Sequence, residues 1–381
     1  MAYRISEIGA EILEDVNNFC NRHVIKESSI WDREGKAPES VRNQILELGY
    51  QTLTIPEEYG GLGISSIDAA AVMEKIAETD AGLAVMLAGN NLALRTVLAG
   101  GTDEQKERIC EIIGGGGLGA FCLTESQAGS DVSGMAAKAV KQDDGSYILN
   151  GTKLFITNGS TADVYCVAAI IEGQEKPSVF IIEKDNPGLK SGPEEDKLGI
   201  RSCDTCQVIL ENCIVGEDDI LGGAAGEGKG MKALLAALNE GRLWVSAMAT
   251  GVAQRAMDEA ISYGKERYQF GSPVTDNQAI RFKLADMKIK IEAARQLTAY
   301  GLTVMDEGRS FAEEAAMAKA FAADTAIEVT GAAMEIFGGY GYSKEYPVEK
   351  LLRDARIFQI IEGTGEMQRN VIANALLGKR G

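Results

Sequence analysis

Over roughly the first 118 residues, apolar side chains recur three and four positions apart. Ile8, Ile12, Val16 and Phe19 form one such row, and Ile45, Leu46 and Gly49 form another just before the loop IPEEYGGLG. That spacing predicts helices. The run Gly114 to Gly117 ends the pattern. From about 120 to 215 it gives way to short β-branched and aromatic runs: YIL, KLFIT, VYCVAAII, SVFII and QVIL. These predict strands, with Asn150-Gly151 read as the turn of a hairpin between the first two. After the glycine cluster GGAAGEGKG at 222–230, helical spacing returns in Met231, Leu234, Leu235, Leu238, Val245 and Met248. Two alanine-rich segments follow, LADMKIKIEAARQLTAYGLTVM and AEEAAMAKAFAADTAIEVTGAAMEIF. Their apolar stripes predict closely packed antiparallel helices. The fold class expected is mainly α with a central β domain, divided at 1–118, 119–225 and 226–381. No repeat or flexible linker separates the regions, so they should pack as one body.

Composition narrows the function. A chain of 381 residues is longer than one core usually serves, so a large ligand can be enclosed between domains. The formal net charge of −18 argues against nucleic acid or an anionic membrane as partner, because both require a broad basic surface. The N-terminus shows no secretory pattern, and no stretch approaches 18 uninterrupted apolar residues, which predicts a cytoplasmic protein without membrane attachment. Seven cysteines, an odd number, fit reduced thiols. The one histidine, His23, falls on a helix and reads as structural, which sets aside histidine-based chemistry.

Two motifs suggest chemistry and fall short, and a third is absent. Gly223, Gly228 and Lys229 match GxxxxGK, but Gly230 stands where a phosphate loop needs Ser or Thr to ligate magnesium. Cys203-x-x-Cys206 lacks a fourth zinc ligand, so no metal is expected. No GxSxG elbow is present for a serine hydrolase.

Five further segments do carry a reading: FCLTESQAGSD (Phe121 to Asp131), FITNG (Phe155 to Gly159), ERYQFG (Glu266 to Gly271), EIFGGYGY (Glu335 to Tyr342) and IEGTGEMQR (Ile361 to Arg369). In this order and in these regions they resemble the acyl-CoA dehydrogenase family over almost the whole chain. The resemblance implies a helical N-terminal domain, a middle β-barrel or sandwich domain and a C-terminal four-helix bundle. It also implies FAD as cofactor. Phe121, Leu123, Thr124 and Ser130, with Phe155, Ile156 and Thr157, would line the flavin. Arg267, Phe270 and Gln278, with Glu335, Ile336, Phe337, Gly338 and Gly339, would bind the ADP half, in this family from a neighbouring subunit of a homotetramer. Thr364 and Glu366 complete the cofactor set, while Ser130, Asn239, Arg242 and Gly363 would touch the acyl-CoA. Glu335 stands where the family usually has Gln, which leaves its backbone rather than its side chain as the expected contact.

The chemistry explains the residue types. An isoalloxazine needs an apolar wall and hydrogen-bond donors at its polar edge. The α-proton of a thioester is weakly acidic. Its removal needs a carboxylate raised in pKa by burial, and hydrogen bonds to the enolate oxygen. By resemblance Glu362 is that base, its own N–H polarising the thioester carbonyl while the β-hydrogen leaves as hydride to the flavin. The plain alternative is a carboxylate settled on the dipole of a helix that starts near Thr364. Some relatives carry the base just before the arginine matching Arg242; that position is Gly241 here, and Glu240 should point about 100° away. The resemblance further implies a trans-2-enoyl-CoA product and electron-transfer flavoprotein as electron acceptor. Leu83, where a glutaryl-binding arginine would stand, disfavours a dicarboxylate and leaves a short or medium unbranched acyl chain. Two rival readings remain open: an enoyl-CoA reductase running the same chemistry in reverse, and a flavin-binding homologue without turnover.

Overall fold

The computed structural model describes residues 4–378. Six helices build the N-terminal region: α1 (Glu7–His23), α2 (Ser28–Glu34), α3 (Glu39–Glu47), α4 (Ser66–Thr79), α5 (Ala81–Gly100) and α6 (Asp103–Gly114). In α1 the buried row is Leu13, Val16, Phe19 and Cys20, whereas Ile8 is exposed. The expected stripe is therefore rotated at its start, because Gly9 turns inward against Asp68 of α4. Helix α5 is apolar enough to span a membrane by length and composition, yet most of it is buried inside the protein. It is the central partition between the β region and the bundle.

Seven strands form the middle region: β1 (Gly119–Cys122), β2 (Lys138–Lys141), β3 (Tyr147–Thr157), β4 (Val164–Ile171), β5 (Pro177–Glu183), β6 (Leu189–Glu194) and β7 (Thr205–Val215). The hydrogen-bonded order is β1-β4-β2-β3-β7-β6, with β5 on the other edge of β4. Strand β4 explains why its sequence is apolar throughout. Tyr165, Val167 and Ala169 face the core inside the β region. Val164, Cys166 and Ala168 face a second core against α5 and α6. A strand buried on both faces loses the usual alternation.

The hairpin falls elsewhere than the sequence suggests. Asn150-Gly151 lies inside β3, which runs on for 11 residues, and the pair makes a register shift against β7. A side chain at Gly151 would meet Ala137 Cβ at 2.7 Å, so this glycine serves close strand packing. The real turn joins β2 to β3 through Asp143, Asp144 and Gly145, closed by the Gln142 N–H donating to the Ser146 carbonyl at 2.8 Å.

The C-terminal region comprises α7 (Gly230–Glu266), a short hairpin of β8 (Tyr268–Gln269) and β9 (Ser272–Pro273), then α8 (Gln278–Asp306), α9 (Ala312–Phe337), α10 (Val348–Ala355) and α11 (Gly365–Leu377). Helices α7, α8, α9 and α11 form the bundle, with α7 pressed along α9 and also against α4 and α5. Alanines at 315, 318, 322, 326 and 333 let α9 approach closely. A buried polar cluster joins the three regions. Lys350 donates to Asp80 Oδ2 at 3.2 Å and to Asp354 Oδ2 at 2.6 Å, and Asp354 Oδ1 accepts from the Ile200 N–H at 2.6 Å. Ser28 and Ser202 both donate to Asp80. The three regions thus form one body, and the clefts between them have fixed walls.

Candidate active site

The chain leaves α10 through a 3-10 turn at Arg356–Gln359 and reaches Glu362 and Gly363, both at positive φ (52° and 94°). A glutamate in the left-handed region carries about 1 kcal/mol of strain and needs support. Support comes from three side chains that grip the backbone. Arg242 Nε donates to the Glu362 carbonyl at 3.2 Å, and Gln368 Nε2 donates to the same oxygen at 3.1 Å and to the Gly363 carbonyl at 2.9 Å. Lys319 Nζ also donates to the Gly363 carbonyl, at 2.6 Å. Thr364 then caps α11, its hydroxyl accepting from the Met367 N–H at 3.4 Å.

The Glu362 side chain points back into the protein, toward the gap between α5 and α7. Its Oε2 is buried and has no hydrogen-bond partner among the described residues. A side chain at Gly241 would collide with that oxygen and come within 2.8 Å of Leu92 Cδ2. Burial pushes the carboxyl up to about 8, against the pull of Lys319 and Arg242, while Glu240 adds to the rise. The dipole at the start of α11 therefore does not decide this group; desolvation does. Glu240 itself is turned aside as expected, paired with Arg95 at 2.6 Å.

The FITNG segment lies close by. A side chain on Gly89 would meet Thr157 Cγ2 at 2.6 Å, so the end of β3 packs directly on α5. Gly89 and Leu92 are three residues apart on one face of α5, so Thr157 and Glu362 abut the same helix about one turn from each other. Phe155 is 64% exposed at a register shift in β3 with φ 56°, which turns its ring outward instead of into the sheet. Beside it, Lys153 is fully buried and donates to Glu125 Oε1 at 2.6 Å and to the Leu123 carbonyl at 3.2 Å. Glu125 in turn accepts from the N–H groups of Ala136 and Ala137, which pins both ends of the loop carrying Ser130.

A second cleft of about 440 Å³ opens at the far end of the bundle, lined by Tyr263, Arg267, Gln269, Val274, Ile336, Phe337, Gly338, Gly339 and Tyr340. Gly338 has φ 61° and ψ −136°, a conformation only glycine adopts readily, and both it and Gly339 face open space.

Comparison with known proteins agrees with this geometry. The acyl-CoA dehydrogenase N-terminal, middle and C-terminal domain models match residues 6–116, 120–213 and 228–377. The chain belongs to the acyl-CoA dehydrogenase family. It is 40% identical to a short-chain specific acyl-CoA dehydrogenase of Megasphaera elsdenii, over 99% of this chain and 100% of that one. The solved butyryl-CoA dehydrogenase of the same organism superposes with a TM-score of 0.95 at 40% identity, covering 99% and 100% of the two chains. A chain solved in a study of the electron transferring flavoprotein of Acidaminococcus fermentans and flavin-based electron bifurcation matches equally well. It has a TM-score of 0.95, 38% identity and full coverage of both chains.

Acyl-CoA dehydrogenases are FAD-dependent oxidoreductases, and the residues present fit the cofactor. The Gly338–Gly339 backbone beside Arg267 suits phosphates, and the outward Phe155 suits a ring wall. Ile156 is buried in the β core, so its side chain is turned away from any cleft, and Phe337 lines the cleft while stacked on Tyr263 with centroids 4.1 Å apart. Glu335 pairs with Lys283 through its side chain, and its carbonyl accepts from the Gly338 N–H at the end of α9. Arg267, Phe270, Gln278, Ser130 and Glu366 are exposed, while Phe121, Thr124 and Thr157 are half-buried and Leu123 is buried. Arg242 is buried, with Nη1 on Asn239 Oδ1 at 2.7 Å, so both residues act on the Glu362 turn from beneath. Lys319 and Gln368 were not foreseen. Their signal was a polar residue on an otherwise apolar helical stripe, Lys319 between Ala315 and Ala322. All seven cysteines are free and buried, and no metal-binding cluster occurs among the described residues.

Proposed function

We propose that this acyl-CoA dehydrogenase oxidises a short-chain acyl-CoA to the trans-2-enoyl-CoA, with Glu362 as the base that takes the α-proton. The observation that carries this reading is the unpartnered, buried Oε2 of Glu362, held at the α5–α7 gap with its proton affinity raised to about 8. A base works best when its pKa lies near the operating pH, and burial supplies that rise. Bound FAD supplies the acceptor for the β-hydride. The chain's own residues do the rest. The Glu362 N–H donates to the thioester carbonyl, Arg242 and Gln368 fix the turn, and Leu92 and Gly241 keep water from the carboxyl's inner side. Arg267 and the Gly338–Gly339 backbone hold the ADP half of FAD.

The short-chain preference is supported by the short-chain specific and butyryl-CoA relatives, and the Leu83 side chain, fully buried, offers nothing to a second carboxylate. Electron-transfer flavoprotein as acceptor is supported by the Acidaminococcus likeness. A homotetramer is supported by the exposed Phe270, Phe282, Ile289 and Tyr342 of the C-terminal region, apolar surface that a subunit partner would cover. A cytoplasmic location is part of the same proposal.

The test is the visible spectrum of the purified yellow protein under anaerobic conditions, with butyryl-, octanoyl- and isovaleryl-CoA, beside Glu362→Gln. Bleaching by butyryl-CoA, absent in the variant, is the expected result. Colour unchanged by every thioester would overturn the assignment and favour a flavin-binding homologue without turnover. Oxidation of the reduced protein by crotonyl-CoA tests the reverse reaction.

A further inference from the structure

We propose that Lys319 is a positioning residue for the base: from the bundle side it ties down the turn that carries Glu362 and supplies the positive charge against which the carboxylate forms. This rests on the assignment of Glu362 as base.

Lys319 is fully buried on the alanine stripe of α9, and its Nζ donates to the Gly363 carbonyl at 2.6 Å. Among the described residues no carboxylate pairs with it directly in the way Glu125 pairs with Lys153, and a buried ammonium held mainly by a carbonyl is costly. Burial accordingly pushes its pKa down to about 8, with Glu362 the largest opposing influence. Helix packing alone would be served by another alanine, as at 315, 318 and 322.

The charges around the pair leave few alternatives. From α7 come Arg242 and Glu240, and Glu240 is held by Arg95 of α5. From α9 comes Asp324, engaged by Arg369 and Gln359. From α11 comes Glu366, which is exposed. Arg242 is committed to the Glu362 carbonyl and Asn239. Among the described residues Lys319 is the remaining cation acting on the carboxyl. Lys319 passes no proton in the reaction; the α-proton goes to Glu362 alone.

The test compares Lys319→Gln, which keeps an N–H for the Gly363 carbonyl but removes the charge, with Lys319→Arg, which keeps the charge. In the holoenzyme, the acid limb of the pH profile for flavin reduction by butyryl-CoA is expected to move up by about one unit in Lys319→Gln and to stay in place in Lys319→Arg. That makes reduction about tenfold slower at pH 7 in the glutamine variant. An infrared titration of the substrate-free holoenzyme, reading the carboxyl band missing in Glu362→Gln, should move in parallel. An unmoved limb and an unmoved band in a folded, FAD-loaded Lys319→Gln would overturn the proposal and leave Lys319 a packing residue. If Lys319→Gln fails to fold, Lys319→Met, whose unbranched apolar side chain suits the alanine stripe, is read in the same way. An acid limb and a carboxyl band moved up support the role, and both unmoved overturn it. Failure of the parent to bleach with any acyl-CoA would sink the base assignment instead, while the infrared titration would still read the coupling between the two residues.

Discussion

Gly241 of α7 lies directly against Oε2 of Glu362, 121 residues later in the chain, with no room for a single methyl group between them. The position where some relatives place their base is here the wall that the base rests on. Absence of a side chain at 241 and presence of a carboxylate at 362 are therefore two halves of one arrangement.

Gly241→Ala should displace the carboxyl and press on Leu92. Overpacking of this kind costs about 1–3 kcal/mol, and a shift of the base by a fraction of an ångström should slow flavin reduction by roughly tenfold or more. Rapid-mixing kinetics with butyryl-CoA and a thermal melt measure the two effects. An unaltered rate would show that the carboxyl does not use this wall.

The pH dependence of turnover follows from the raised carboxyl. Glu362 must be ionised to accept a proton, so kcat/KM should climb with pH and level off above about 8. A profile flat from pH 6 to 9 would contradict a buried base.

Stability should run the opposite way. In the unfolded chain the Glu362 carboxyl ionises in the ordinary glutamate range, whereas in the folded protein it keeps its proton up to about 8. Between those values the folded state binds more protons. The stability contributed is full at low pH and is lost as pH rises through about 8. Glu362→Gln removes this loss, so its advantage over the parent should be small at pH 5 and grow to roughly 4 kcal/mol at pH 8. Denaturant melts at several pH values check it, and an advantage independent of pH would refute the sign.

Lys153 and Glu125 form a buried pair under the loop that carries Ser130. Lys153→Met strands the carboxylate and should cost about 3–5 kcal/mol. Lys153→Met combined with Glu125→Gln should recover part of that loss, because the amide keeps an acceptor for Ala136 and Ala137. The FAD content of each purified variant, read beside its melting temperature, shows whether the pair also shapes the flavin wall.

Much of this protein was legible in one dimension. The change from helical spacing to β-branched runs and back marked the three regions, because amphipathic faces announce the element that buries them. The loop carrying Glu362 and the cap at Thr364 were also readable, being local. Asn150-Gly151 misled, since the same dipeptide serves a hairpin turn or a strand irregularity, and only the pairing of β3 with β7 chooses between them. Ile8 misled because an inward Gly9 rotates the start of α1.

The sequence by itself determined which elements form and which carboxylate stands at the mouth of α11. The tertiary structure decided what that carboxylate can do. Its neighbours, Gly241, Arg242, Leu92 and Lys319, come from three other helices, and a carboxyl's proton affinity depends on the solvent and charges around it rather than on residues adjacent in the chain. Packing α5, α7 and α9 around one turn removes the water, and that removal raises an ordinary glutamate's proton affinity into the range that the proposed α-proton abstraction needs.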